Sequence, residues 1–86
     1  MTALALSAAL QAATATYADT QSPDAAEAAL QQHLAAIRGL EVDYAVVVDS
    51  ATLRRPITVA PVALVAARVG STRLIDNHRI DQPFPV

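Results

Sequence analysis

The segment Ala67-Arg68-Val69-Gly70-Ser71-Thr72-Arg73-Leu74-Ile75-Asp76-Asn77 constrains this chain most. Two short apolar runs meet at Gly70-Ser71. Glycine at the first position of a two-residue loop suits a type II′ turn, whose twist matches two antiparallel strands. Residues 62–69 alone read as helix or strand, because alanine favours helix while valine and shortness favour strand. The turn signal decides for strand. Residues 62–69 and Thr72 to about Ile80 are therefore expected to form a hairpin.

A third strand precedes it. After Gly39 the apolar period changes from 3.6 to 2, placing Val42, Tyr44, Val46 and Val48 on one side. Asp43, Ala45, Val47 and Asp49 fall on the other. Three consecutive valines suit a strand with much of both faces covered. Asp49-Ser50-Ala51-Thr52 reads as a turn, since Asp and Ser side chains bond to the backbone ahead of them. Leu53–Pro61 is a connector in which Pro56 and Pro61 prevent a continuous ladder.

The first half is helical by pattern. Leu6, Leu10, Ala13 and Tyr17 share one face of a helix over residues 2–18. Ser22 then offers an N-cap, Pro23 fits the first helical position, and Asp24 and Glu27 favour the positive end of the dipole. Ala26, Leu30, His33, Leu34 and Ile37 form the expected buried stripe of a second helix, about 23–38. Gly39 is its expected left-handed terminator. The fold class is α+β: two N-terminal helices on a three-stranded antiparallel sheet, in two layers. Residues 1–80 make one domain, and Pro83 and Pro85 leave 81–86 as an extended tail.

Size and composition exclude several functions. A chain of 86 residues buries only about 60–65% of its unfolded surface, so docking on a partner would help it. Six basic residues against eight acidic ones, with three aromatics, provide neither the charge nor the stacking platforms for nucleic acid. No membrane span is expected, because the apolar N-terminal run is short and interrupted by Gln11, Thr14 and Thr16. A secretory leader would need positive charge, and no Lys or Arg precedes Arg38. The lack of cysteine fits a cytoplasmic protein and removes cysteine chemistry.

Candidate sites are few. His33 and His78 lack metal-ligand partners at helical spacing, and no metal site is expected. Asp43 and Asp49, about 20 Å apart along one strand, are too distant for a carboxylate pair. Only Gly39 and Gly70 are glycines, so no phosphate loop exists. Asp76 and Asn77, beside His78 and Arg79, read as backbone-satisfying or surface-paired groups. Arg54-Arg55 reads as a solvated loop or an interdomain contact. Arg68 and Arg73 flank the turn and pair across it; they read first as solvated hairpin arginines with buried stems, and as the alternative, given suitable polar partners, as a clamp for a phosphate or carboxylate. The residues alone describe an α+β module without a recognisable catalytic site.

Three segments carry a resemblance. Leu6-Ser7-Ala8-Ala9-Leu10, then Val42-Asp43-Tyr44 with Val47-Val48-Asp49 and Thr52-Leu53, then Leu64 to Asn77 resemble the C-terminal domain of the pantothenate synthetase (pantoate–β-alanine ligase) family, in order. The resemblance implies an ATP- and magnesium-dependent ligase that adenylates pantoate and lets β-alanine displace AMP. In that family a Rossmann-like N-terminal domain carries a His-x-Gly-His nucleotide motif, and the C-terminal domain closes over it as a lid. Neither that motif nor the family's serine-serine-arginine-asparagine motif occurs here. No catalytic residue carries over, and Arg68 and Arg73 remain as candidate lid contacts. The implied partner is the Rossmann-like catalytic domain of a pantothenate synthetase, acting in trans, with no cofactor bound by this chain alone. The competing expectation is a non-catalytic binding or scaffold module that keeps the lid fold.

Overall fold

A computed structural model describes residues 3–84. Its order is α1 (Ala3–Thr20), α2 (Pro23–Ala35), β1 (Leu40–Asp49), β2 (Pro61–Val69) and β3 (Thr72–Arg79). The strands form one antiparallel sheet in the order β1-β2-β3. This is the expected α+β arrangement. The start of the first helix at Thr2 lies outside the described residues, as do Pro85 and Val86.

The helices cover one face of the sheet. Leu6, Ala9, Leu10 and Ala13 of α1 meet Ala26, Leu30 and Leu34 of α2. Both sets close over Ala45 and Val47 of β1 and Ala63, Val65 and Ala67 of β2. The alanines allow close approach, and the leucines supply most of the apolar area removed from water. Tyr17 completes the α1 face as expected, half-buried at its end.

The link between the helices is two residues long. The Gln21 N–H donates to the Tyr17 carbonyl at 2.7 Å, and Gln21 takes a left-handed φ of 56°. Ser22 caps α2 by accepting from the Ala25 N–H at 3.1 Å, with Pro23 next to it. The far end of α2 departs from expectation. The Ile37 N–H turns back to the Leu34 carbonyl at 3.1 Å, a tighter three-residue closure that stops the helix at Ala35 rather than Arg38. Gly39, at φ 77°, therefore serves the turn into β1 and not the helix terminus. His33 is exposed rather than part of the buried stripe.

A bulge between Val42 and Tyr44 resets β1. Val42 pairs with Ala67 and Tyr44 with Ala66, leaving Asp43 unpaired. The extra residue breaks strict alternation. Val42 thus joins the helix side, against Gln31, Leu34 and Ala35, rather than sharing a face with Tyr44, Val46 and Val48. Asp43 likewise leaves the side of Ala45, Val47 and Asp49.

The free edge of β1 is occupied by side chains. Glu27 accepts from the Val47 N–H at 2.8 Å, and the Gln31 amide donates to the Ala45 carbonyl at 2.9 Å. Four helix residues rise about 6 Å and two strand residues about 6.6 Å, so these spacings match. The pairing covers an edge that would otherwise recruit a foreign strand.

The hairpin turns at Gly70-Ser71, with Val69 opposite Thr72. Gly70 has φ 59°, and Ser71 stays at negative φ, which is the sign pattern of a type II′ turn. A Cβ at Gly70 would meet nothing within 4 Å, so substitution there costs conformation rather than space. Gly70→Ala is expected to lower stability by about 1–2 kcal/mol, read from the urea midpoint. Unchanged stability would contradict this turn geometry.

Beyond β3 the described residues begin with a turn. The Gln82 N–H donates to the Arg79 carbonyl at 3.1 Å. Phe84 returns to the core margin and sits edge-on to His78, with ring centroids 4.8 Å apart. Packing one large ring against the core margin favours this return of the chain.

Candidate functional site

Arg68 and Arg73 stand opposite each other across the hairpin. By alternation from Ala67, whose side chain belongs to the core, they project from the face that the helices leave open. The bulge at Asp43 decides what they hold. Arg68 Nε donates to Asp43 at 3.1 Å, Arg73 Nε lies 3.5 Å from the other carboxylate oxygen, and Glu41 approaches Arg68 at 3.2 Å. The Asp43 carboxylate of this chain lies between the two guanidinium groups. Both arginine side chains remain about half exposed. Surface pairs of this kind are worth about 0–1 kcal/mol.

A second polar centre lies where β1 ends. Asp49 is fully buried and accepts five backbone hydrogen bonds. One oxygen takes the Ala51 and Thr52 N–H groups at 3.2 and 3.1 Å. The other takes Thr58, Val59 and Ala60 at 3.0, 2.7 and 3.3 Å. The Val59 N–H does most to hold this carboxyl well below the usual carboxylate range; burial opposes it, and the Thr58, Thr52 and Ala60 N–H groups add to it. The near-side turn was legible in Asp49-Ser50-Ala51-Thr52. The return of residues 58–60 to the same carboxylate was not. Asp49 gathers both ends of the 50–60 loop and fixes how it leaves the sheet.

Arg55 also performs a task that its sequence position did not reveal. Its Nε donates to the Val47 carbonyl at 2.6 Å, and its guanidinium pairs with Asp24 at 2.8 Å. The residue ties the loop to α2 and to the edge of β1, rather than standing free in solvent. Arg54 stays exposed. His78 stands one residue before the end of β3, with Nε2 3.2 Å from the Gln82 carbonyl. Asp76 accepts from the Asn77 N–H at 2.8 Å, a backbone role. His33 and His78 are not brought together into a site: His33 is exposed on α2.

A groove of about 710 Å³ runs between the end of α1 and the 57–61 and 80–83 segments. Tyr17, Gln21, Thr58, Val59, Asp81 and Gln82 contribute to its walls. Asp81 is held by two hydrogen bonds from Arg79, at 3.0 and 2.7 Å, and the Arg79 side chain lowers its pKa. The groove thus offers an acid already committed to a partner and no cation among its lining residues. Among the described residues, no three His, Asp or Glu side chains converge on a metal position. Nor is any helix among them long and apolar enough to cross a membrane. Among the described residues the acids are dispersed and form no cluster that would hold magnesium.

The profile of the Pantoate-beta-alanine ligase family matches residues 1–79. The chain belongs to that family. Pantothenate synthetase from Leifsonia xyli is 52% identical over 50 residues, covering 51% of this chain and 16% of its own length. The pantothenate synthetase of Rhodopirellula baltica is 63% identical over 41 residues, covering 45% of this chain and 14% of its own length. A bifunctional pantoate ligase/cytidylate kinase from Acaryochloris marina is 43% identical over 61 residues, covering 69% of this chain and 12% of its own length. The crystal structure of pantothenate synthetase from Thermus thermophilus superposes with a TM-score of 0.80 at 31% identity, over 88% of this chain and 28% of that one. The chain therefore spans a small part of each relative. In this member of the family the bulge, the Asp49 loop and the hairpin arginines supply architecture and surface charge.

Proposed function

We propose that this chain is the closing, C-terminal domain of a pantoate–β-alanine ligase. The reaction is the ATP-dependent joining of pantoate to β-alanine through pantoyl-adenylate. Family membership over residues 1–79 is the observation that carries the reading. The chain's own groups support it by what they are. They form a two-layer body with a charged hairpin, and among the described residues no three His, Asp or Glu side chains converge at one point. Such a body contributes by covering a reactive centre held elsewhere. Covering an acyl-adenylate keeps water from hydrolysing it before the amine attacks.

The partner in this reading is the Rossmann-like catalytic domain, which supplies the nucleotide and magnesium positions. Arg68 and Arg73 are the residues of this chain proposed to face the anionic substrates on closure. Both are half exposed, and each releases only a weak surface pair when it moves to a phosphate.

Purified chain mixed with ATP, pantoate and β-alanine is expected to form no pantothenate. Adding a pantothenate synthetase that lacks its own C-terminal domain is expected to give turnover above that of the lidless enzyme. Arg68→Ala with Arg73→Ala is expected to lower the restored rate about tenfold or more, as loss of charge-assisted contacts does. Robust turnover by the chain alone would overturn the reading. The scaffold alternative predicts no rescue by a folded chain.

A further inference from the structure

β1 is one margin of the sheet, and a margin strand turns half of its backbone groups away from its neighbour. The two-residue loop makes Val69 and Thr72 a hydrogen-bonded pair, and alternation then turns the backbone groups of Ala67, Val65 and Ala63 toward β3. Their partners in β1 include Ala45 and Val47, which therefore aim their N–H and C=O groups outward, as Asp49 does.

These outward groups are taken. Gln31 holds the Ala45 carbonyl at 2.9 Å and Glu27 the Val47 N–H at 2.8 Å. Arg55 Nε donates to the Val47 carbonyl at 2.6 Å. The Asp49 N–H donates to the Arg54 carbonyl at 2.9 Å, and the Asp49 carbonyl accepts from the Leu53 N–H at 2.8 Å. Side chains and loop backbone thus stand where a fourth strand would add. They arrive from two directions. α2 supplies Glu27 and Gln31 one turn apart, and the loop anchored on Asp49 returns Arg55 to Val47. Arg55 also bonds Asp24 of α2 at 2.8 Å, which joins the two arms.

The strand behind these groups is built to pair. Tyr44-Ala45-Val46-Val47-Val48 has no charge, proline or glycine and is rich in β-branched residues. Such a segment adds to other copies when its edge is open. It is also self-complementary. Two copies laid antiparallel about Val46 would set Val46 against Val46, Ala45 against Val47 and Tyr44 against Val48. Every pair is apolar, an aromatic residue meets a β-branched one, and no like charges oppose. The outward groups of Ala45 and Val47 would bond to those of Val47 and Ala45 opposite. The other margin is guarded differently. β3 carries Arg73, Asp76 and Arg79 within the strand itself, charges that discourage addition there. Between Tyr44 and Val48 the protection of β1 comes from outside the strand.

We propose that Glu27, Gln31 and Arg55 form a clasp that keeps β1 from pairing with β1 of a second copy. The clasp belongs to this fold and does not rest on the function proposed above.

The test is sedimentation velocity of the full chain over a range of concentrations, with circular dichroism to check folding. Glu27→Ala with Gln31→Ala frees the Val47 N–H and the Ala45 carbonyl and keeps α2 helical, since alanine is the best helix former. This variant is expected to self-associate at least about tenfold more tightly than the parent, and adding Arg55→Ala is expected to strengthen association further. Glu27→Gln retains an accepting oxygen for the Val47 N–H and is expected to sediment as the parent does. Val46→Lys in the double variant places two like charges at the centre of the pairing and is expected to return association to the parent's level. A folded double variant that associates no more than the parent would overturn the proposal. Association that Val46→Lys leaves unchanged would place the contact elsewhere and overturn it too. If the double variant does not fold, Glu27→Ala alone carries the same test, with and without Val46→Lys.

Discussion

Replacing Asp49 with alanine is expected to lower the melting temperature of this chain by about 10 °C or more. The carboxylate accepts N–H groups from residues 51, 52, 58, 59 and 60, so both ends of one loop depend on it. Ala60 is itself buried, and water does not replace its partner without opening the structure. Asp49→Asn separates shape from charge. The amide keeps one accepting oxygen, enough for one cluster of N–H groups, while its NH₂ group faces donors in the other. Its melting temperature is expected between those of Asp49→Ala and the parent.

Acid is expected to act on the same group. The folded-state pKa of Asp49 lies below its unfolded value, chiefly through the Val59 N–H. The folded state therefore favours the charged form. The resulting stability is fully present above about pH 5 and is lost progressively as pH falls through about 4 and below. Asp81, lowered first by its hydrogen bonds from Arg79, contributes with the same sign. Urea midpoints measured between pH 7 and 2.5 are expected to fall in the parent and to fall less steeply in Asp49→Asn. Parallel curves would show that this carboxylate is not the acid-sensitive element.

Leu30→Ala is expected to cost roughly 2–5 kcal/mol. Leu30 is completely buried in α2 and belongs to the cluster that joins α1 to Ala45, Val47 and Val65. Many of its neighbours are alanines, which have no flexible side chain to swing into the space left behind. A domain of this size has only a few kcal/mol of net stability to lose. Leu30→Met conserves volume and is expected to cost under about 1.5 kcal/mol. Equal urea midpoints for the two variants would contradict the packing described.

These residues also show where sequence reasoning reached its limit. The helices, the Ser22 cap and the Gly70-Ser71 turn were legible because each is specified within one turn of chain. Capping and turn geometry are local, and Ser22 and Gly70 meet those needs with their nearest neighbours. The bulge at Asp43 was not legible. It is a property of pairing with Ala66 and Ala67, 20 and more residues away, and it moves Val42 to the helix side of the sheet. The end of α2 was misplaced for a related reason. Gly39 signalled a left-handed residue correctly, but the Ile37 N–H had already closed the helix on Leu34.

The polar groups divide in the same way. Asp49 was readable as a turn residue through Ala51 and Thr52, while its bonds to residues 58–60 required the loop to return. Arg55 gave no local sign that it would reach Asp24, 31 residues back in the chain. The facing of Arg68 and Arg73 followed from the turn, and the Asp43 carboxylate between them followed only from the bulge. The three consecutive valines of β1 did announce a strand with much of both faces covered. The two helices cover one of these faces.

The central claim is that this domain completes a pantoate–β-alanine ligase whose chemistry sits on another body. The most direct measurement is pantothenate formed in cells that require it for growth, carrying a pantothenate synthetase without its C-terminal domain. Co-expression of this chain is expected to restore pantothenate formation, and expression of the chain without the lidless enzyme is expected to give none. A soluble, folded chain that leaves the lidless enzyme inactive, or pantothenate formed by the chain alone, would contradict the account.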